Sequence, residues 1–139
     1  MKFTKMQGAG NDFLLIDGFK NNLCEIVPKI KSLCDRRFGV GGDGVIIALP
    51  SENSDVKMYY YNGSQGEMCG NGIRCFAKFV YEKGIVKKDI LKIETLAGIQ
   101  TAVLKINDKD IVEKIEIEIG NIKYAPEDIV VNVKGENAF

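Results

Sequence analysis

Cys69-Gly70-Asn71-Gly72-Ile73-Arg74-Cys75-Phe76-Ala77-Lys78-Phe79-Val80-Tyr81-Glu82-Lys83-Gly84 is the stretch from which the rest of the chain can be read. Ile73, Cys75, Phe76, Ala77, Phe79, Val80 and Tyr81 leave little of a helix's circumference polar. The pattern predicts a helix over about 73–83 that other elements enclose, stopped by Gly84 as a C-terminal cap. At its start, Cys69 is followed by two glycines and an asparagine. The first N–H groups of a helix have no internal partner and form a ready anion site. Gly70 and Gly72 let a ligand carboxylate approach the backbone without a side-chain clash. A thiol at the positive end of a helix also ionises more readily than a free one. One short segment could thus hold a carboxylate and set a base beside its α-carbon. The plainer alternative is a buried cysteine next to a glycine-rich turn, and spacing alone leaves both open.

Outward from this helix the chain reads mainly as strands. Lys2 to Met6, Phe13 to Asp17, Val45 to Leu49 and Val56 to Tyr61 precede it; Ile90 to Thr95, Ile99 to Ile106, Val112 to Ile119 and Ile129 to Val133 follow. Lys114-Ile115-Glu116-Ile117-Glu118-Ile119 alternates strictly, so one face meets a core and the other meets water. Glu25 to Phe38 carries apolar residues at amphipathic spacing, and Pro28 is tolerable there only in the first turn. The expected architecture is α+β, with mixed and antiparallel strands wrapped around one buried central helix. No internal repeat or low-complexity linker divides the 139 residues, which suit one domain with a real core.

Composition narrows the function. Lys+Arg and Asp+Glu both total 19, so the clustered basic excess of a nucleic-acid binder is missing. The start, Met1-Lys2-Phe3-Thr4-Lys5-Met6, lacks the apolar core of a signal peptide, and no apolar run reaches the roughly 18 residues of a membrane helix. A cytoplasmic protein with no nucleic-acid or membrane partner is the expectation. The four cysteines, Cys24, Cys34, Cys69 and Cys75, then read as reduced thiols. No pair has CxxC spacing and there is no histidine, which argues against a zinc site. The missing histidine also removes the commonest general base, so proton chemistry must fall to Cys, Asp, Glu, Lys or Tyr.

Other features read more plainly. Cys75, inside the apolar helix, belongs to the core, and Cys24 and Cys34 have no chemical context. A Cys69–Cys75 disulfide is excluded, because six helical residues span about 9 Å. Gly39-Val40-Gly41-Gly42-Asp43-Gly44 is not a dinucleotide fingerprint, since a helix precedes it and a strand follows. Gly8-Ala9-Gly10-Asn11-Asp12 is either a plain tight turn or a turn that offers the Asn11 amide to a ligand. Asn62-Gly63-Ser64 matches a glycosylation sequon that means nothing without secretion. Tyr59-Tyr60-Tyr61 is most simply strand.

Four blocks of this sequence together resemble the diaminopimelate epimerase family: residues 5–13, 37–44, 67–78 and 94–98, in family order. The third, Glu67-Met68-Cys69-Gly70-Asn71-Gly72-Ile73-Arg74-Cys75-Phe76-Ala77-Lys78, is the most specific. The resemblance implies two pseudo-symmetric domains, each wrapping strands around a central helix, with residues 1–139 as the N-terminal one and the C-terminal domain absent from this chain. It implies an isomerase that converts LL- to meso-diaminopimelate, for lysine and cell-wall precursors, with two opposed cysteines and no pyridoxal phosphate, metal or other cofactor. Cys69 would be one of that pair. Gly70 and Asn71 would bind the α-carboxylate of the amino-acid substrate, and Asn11 its distal end. The family's Asn-x-Asp-Gly-Ser before the cysteine departs here. Aligned without gaps its substrate asparagine falls on Tyr60, and with a two-residue deletion on Asn62, the reading preferred here. Gly44 stands where some members carry a substrate-facing glutamine. The partner implied is a second domain or another chain, such as a second copy forming a homodimer. The alternatives are a two-cysteine racemase of another amino acid and a non-catalytic binding domain of the same fold.

Overall fold

The computed structural model describes residues 1–66 and 69–118. Its elements are β1 (Thr4–Gly8), β2 (Asn11–Asp17), α1 (Leu23–Ile26), α2 (Ile30–Cys34), β3 (Gly44–Leu49), β4 (Val56–Tyr61), α3 (Gly70–Glu82), β5 (Ile90–Thr95), β6 (Gly98–Ile106) and β7 (Val112–Ile117). The strands form one sheet in chain order. Neighbours run antiparallel except β2 with β3 and β4 with β5, which are parallel. A parallel pair needs a crossover. The segment containing α1 and α2 supplies the first, and α3 supplies the second.

The two crossovers take opposite faces of the sheet. α3 contacts β1 and β7, at opposite ends of the strand order, as well as β2, β3 and β6. A sheet whose two ends meet one helix must curl around it. Ile73, Phe76, Ala77 and Val80 of α3 are fully buried against Phe13, Leu15, Ile46, Ala48, Leu91 and Ile93 of the inner face. Each such Ile, Val, Leu or Phe contributes about 1.5–3 kcal/mol. Leu14, Ile16, Val45 and Ile47 point outward and are covered by Ile26 and Ile30. β2 and β3 are therefore buried on both faces, which is why they read as unbroken apolar runs. β4 alternates, with Val56, Met58 and Tyr60 inward. The α+β architecture around one buried helix is as expected.

Of the boundaries that differ from expectation, three have a plain local cause. The helix expected from Glu25 to Phe38 is broken: α1 is one turn, Val27–Lys29 is a 3-10 turn, and α2 ends at Cys34. Pro28 lacks the N–H that a continuous helix would use. At the far end Asp35 turns extended, and its carboxylate accepts from the backbone N–H groups of Arg37 and Phe38, both at 2.7 Å. That local bond competes with helix. β1 runs Thr4–Gly8 and not from Lys2, continuing to the turn. α3 opens at Gly70 rather than Ile73, because Cys69 caps it. β7 ends at Ile117, short of the expected Ile119, which like the expected strand at Ile129 to Val133 lies outside the described residues. Among the described residues no helix is long and apolar enough to cross a membrane.

Candidate active site

Cys69 has extended backbone (φ −133°, ψ 116°), and its Sγ accepts a hydrogen bond from the Gly72 N–H at 3.4 Å. It is the N-cap of α3, half-buried at the rim of the inner core. The close seating depends on Gly72. A Cβ there would come within 3.0 Å of Ile46 Cδ1 and 3.3 Å of Cys69 Cβ. Gly70 is the first residue of α3, so its N–H and that of Asn71 belong to the unpaired first turn.

The β1–β2 hairpin brings Asn11 to the same place. Ala9 (φ 49°) and Gly10 (φ 93°) both have positive φ, the requirement of a two-residue type I′ turn. β1 then packs so closely on α3 that a Cβ on Gly8 would lie 3.1 Å from both the Asn71 carbonyl oxygen and Cys75 Sγ. Across this contact Asn71 Nδ2 donates to Asn11 Oδ1 at 2.8 Å. Asn11 Nδ2 donates to Asp43 Oδ2 at 3.0 Å, and Arg74 donates to Asn71 Oδ1. Asp43 Oδ2 also accepts from the Asp12 N–H at 3.1 Å. Arg36 bridges Asp12 Oδ1 (2.7 Å) and Asp43 Oδ1 (2.6 Å), and Lys5 pairs with Asp12 at 3.2 Å. The Arg36 guanidinium, with Lys5 behind it, holds the Asp12 carboxyl well below the usual carboxylate range. Asp43 is lowered mainly by the bonds from Asn11 and the Asp12 N–H.

Asn62 sits in a tight exposed turn. Its N–H donates to the Ser64 carbonyl at 3.1 Å, and the Gly66 N–H donates to the Tyr60 carbonyl at 3.0 Å. Tyr60 is on the inner face, only 8% exposed, with its ring edge-on to Phe13 at 6.1 Å. Burial pushes its phenol up, and Cys69 pushes in the same direction. A Cβ on Gly44 would meet the Tyr61 carbonyl oxygen at 2.7 Å and the Tyr60 ring at 2.9 Å. The site where a glutamine was sought therefore has no room for a side chain.

Cys69, Gly70, Asn71 and Asn11 are thus adjacent, whereas Asn62 lies in the exposed turn after β4. Cys75 is buried, Cys24 exposed and Cys34 between the two, all as free thiols. Burial pushes the Cys75 thiol up, in keeping with a core residue. Sequence reasoning missed Arg36, Asp43 and Arg74. Asp43 and Arg74 lay inside the quoted blocks, and a charged residue among glycines was the available signal. A recess of about 650 Å³ lies at the other end of α3, against Phe79 and Lys83. None of the candidate residues lines it.

A curled sheet around one enclosed helix is the fold of this chain, shared with solved racemase and isomerase structures. A solved methylitaconate-delta-isomerase matches 98% of this chain with 39% of its own, at TM-score 0.65 and 18% identity, a likeness of fold. The diaminopimelate epimerase family model matches residues 3–124, and the chain belongs to that family. Diaminopimelate epimerase of Desulforapulum autotrophicum is 46% identical over 134 residues, covering 93% of this chain and 47% of the relative. That of Clostridium perfringens is 47% identical over 133 residues, covering 93% and 48%. The chain spans about half the length of these curated relatives.

Proposed function

We propose that residues 1–139 form the N-terminal domain of a two-domain, cofactor-independent amino-acid epimerase acting on LL-diaminopimelate, with Cys69 as one of two catalytic cysteines. The observation that carries this is the seating of a half-buried thiol as N-cap of an enclosed helix, beside the Asn11–Asn71 amide pair. Gly70, Asn71 and the unpaired N–H groups of the first turn would take the α-carboxylate. The Cys69 thiolate would remove the α-proton, leaving a carbanion whose charge those N–H donors stabilise. An opposed thiol from the second domain, or from a partner chain, would give its proton to the other face of carbon. The product then has inverted configuration, and thiol and thiolate have exchanged places. Asn11 would meet the distal end of the substrate, with Asn62 as a further contact. A racemase of another amino acid is the second reading, favoured by the closed space at Gly44, which removes a distal contact.

The test is α-proton exchange in heavy water, followed by NMR, with the reduced chain alone and mixed with the separately expressed C-terminal half of the Clostridium perfringens relative. Exchange of LL-diaminopimelate that disappears in Cys69→Ser is the expected result. Exchange retained in Cys69→Ser removes Cys69 from the mechanism. No exchange in either mixture, with the fold verified, leaves a non-catalytic binding domain.

A further inference from the structure

The amide groups of Asn11 and Asn71 lie in a chain whose two ends have fixed polarity. Asp43 at one end is a carboxylate and can only accept; Arg74 at the other can only donate. The Asn11 NH₂ must therefore face Asp43, its carbonyl must face the Asn71 NH₂, and the Asn71 carbonyl must face Arg74. Turning either amide over would set acceptor against acceptor or donor against donor, at a cost of about 1–3 kcal/mol. Asp43 is itself held: Arg36 takes Oδ1 at 2.6 Å, and the Asp12 N–H takes Oδ2 at 3.1 Å. In this arrangement each amide nitrogen keeps a second N–H that no described residue accepts, next to the first turn of α3.

We infer that Asp43 and Arg74 are positioning residues, which fix both amides so that Asn71 presents one N–H toward the α-carboxylate and Asn11 one toward the distal end of the substrate. This rests on the proposed epimerase reading for the identity of the ligand, but not for the orientation of the amides. The glycine-rich segment before β3 then has a purpose beyond ending a helix, since it delivers Asp43 to the exit of the β1–β2 turn.

The experiment uses the full chain labelled with ¹⁵N-asparagine, with side-chain NH₂ signals assigned through Asn11→Ala and Asn71→Ala. In the wild type one proton of each pair exchanges slowly with water. Asp43→Asn is isosteric but can both donate and accept. It is expected to speed exchange of the Asn11 proton about tenfold and weaken binding of LL-diaminopimelate about tenfold, the worth of one charge-assisted bond. Backbone signals of α3 from Ile73 onward should not move. Arg74→Lys, still donor-only, should keep the amide pattern, whereas Arg74→Gln should lose it. Unchanged Asn11 and Asn71 signals in both Asp43→Asn and Arg74→Gln overturn the inference. Altered signals in a chain that binds no diaminopimelate uphold the orientation and sink the substrate reading instead.

Discussion

At the scale of single residues, the site is governed by what cannot fit as much as by what reacts. Gly44 opens β3 with the Tyr61 backbone 2.7 Å and the Tyr60 ring 2.9 Å from any Cβ placed there. Gly66 is equally closed, its Cβ position 2.7 Å from the same ring. Tyr60 thus occupies the space between two glycines, and neither can be enlarged alone. Gly44→Gln should accordingly destabilise the chain by about 1–3 kcal/mol, as overpacking does. Urea unfolding checks this; unchanged stability together with tighter diaminopimelate binding would mean that the ring yields and the glutamine contact is recoverable. Cys69 was legible from its Gly-Asn surroundings because helix-end chemistry is local. The Arg36–Asp12–Asp43 group was not, since Asp12 and Asp43 are separated by the whole first crossover and meet only through strand pairing.

At the scale of elements, periodicity found what is local and missed what is imposed. β5 was expected from Ile90 to Thr95 and is observed over those residues, because its inward side chains alternate with exposed ones. The helix at Glu25 to Phe38 failed because amphipathic spacing says nothing about where the backbone must turn. Pro28 and the Asp35 carboxylate decide that, and Gly39 completes it: a Cβ there would lie 2.0 Å from the Ser32 carbonyl oxygen. For α3 the cap gives a prediction that separates structure from chemistry. The Sγ of Cys69 accepts from the Gly72 N–H, and a serine hydroxyl does this at least as well. Cys69→Ser should therefore match or exceed the wild type in thermal stability. Cys69→Ala should lose about 0.5–2 kcal/mol, the usual value of an N-cap. Equal melting temperatures for the two variants would mean that the cap contributes nothing and that α3 starts where its buried face starts.

At the scale of the whole molecule, charge sets the range of pH over which the curled sheet holds. The chain has no histidine, so no structural ion pair gains or loses its charge between about pH 5.5 and 8 through a group at its ordinary pKa. Four carboxylates that tie distant segments together are lowered. Asp12 is held by Arg36 and Lys5, Asp55 by Lys88 and the Lys92 N–H, Glu94 by Lys57 and Ser51, and Asp110 by Lys87 and Tyr81. A group lowered in the folded state contributes stability that is complete above its unfolded value, about 3.9 for Asp, and is lost as pH falls through the folded value. At the other end Tyr60 and Tyr81 are raised, the first by burial and the second by the Asp110 carboxylate, and the Cys34 and Cys75 thiols are raised by burial. Their contribution is complete below the unfolded values, about 8.5 for Cys and 10 for Tyr, and is lost as pH rises through the folded ones. Thermal stability should thus be flat from about pH 5.5 to 8, fall steeply below pH 4 and decline again above about pH 9. Added salt at 0.5 M should narrow the acid limb, since these carboxylates lie at the surface, partly exposed, where salt screens their ion pairs. Protonation of Asp43 would also turn its fixed acceptor into a donor. The Asn11 amide signals should then change in the acid limb before the backbone unfolds, given that Arg36, Asp12, Lys5 and Arg74 surround the same chain of bonds. Melting curves collected from pH 3 to 10 test the dome. A maximum centred near pH 6.5 with sloping sides, in place of a plateau, would mean that a group other than those named here controls the fold.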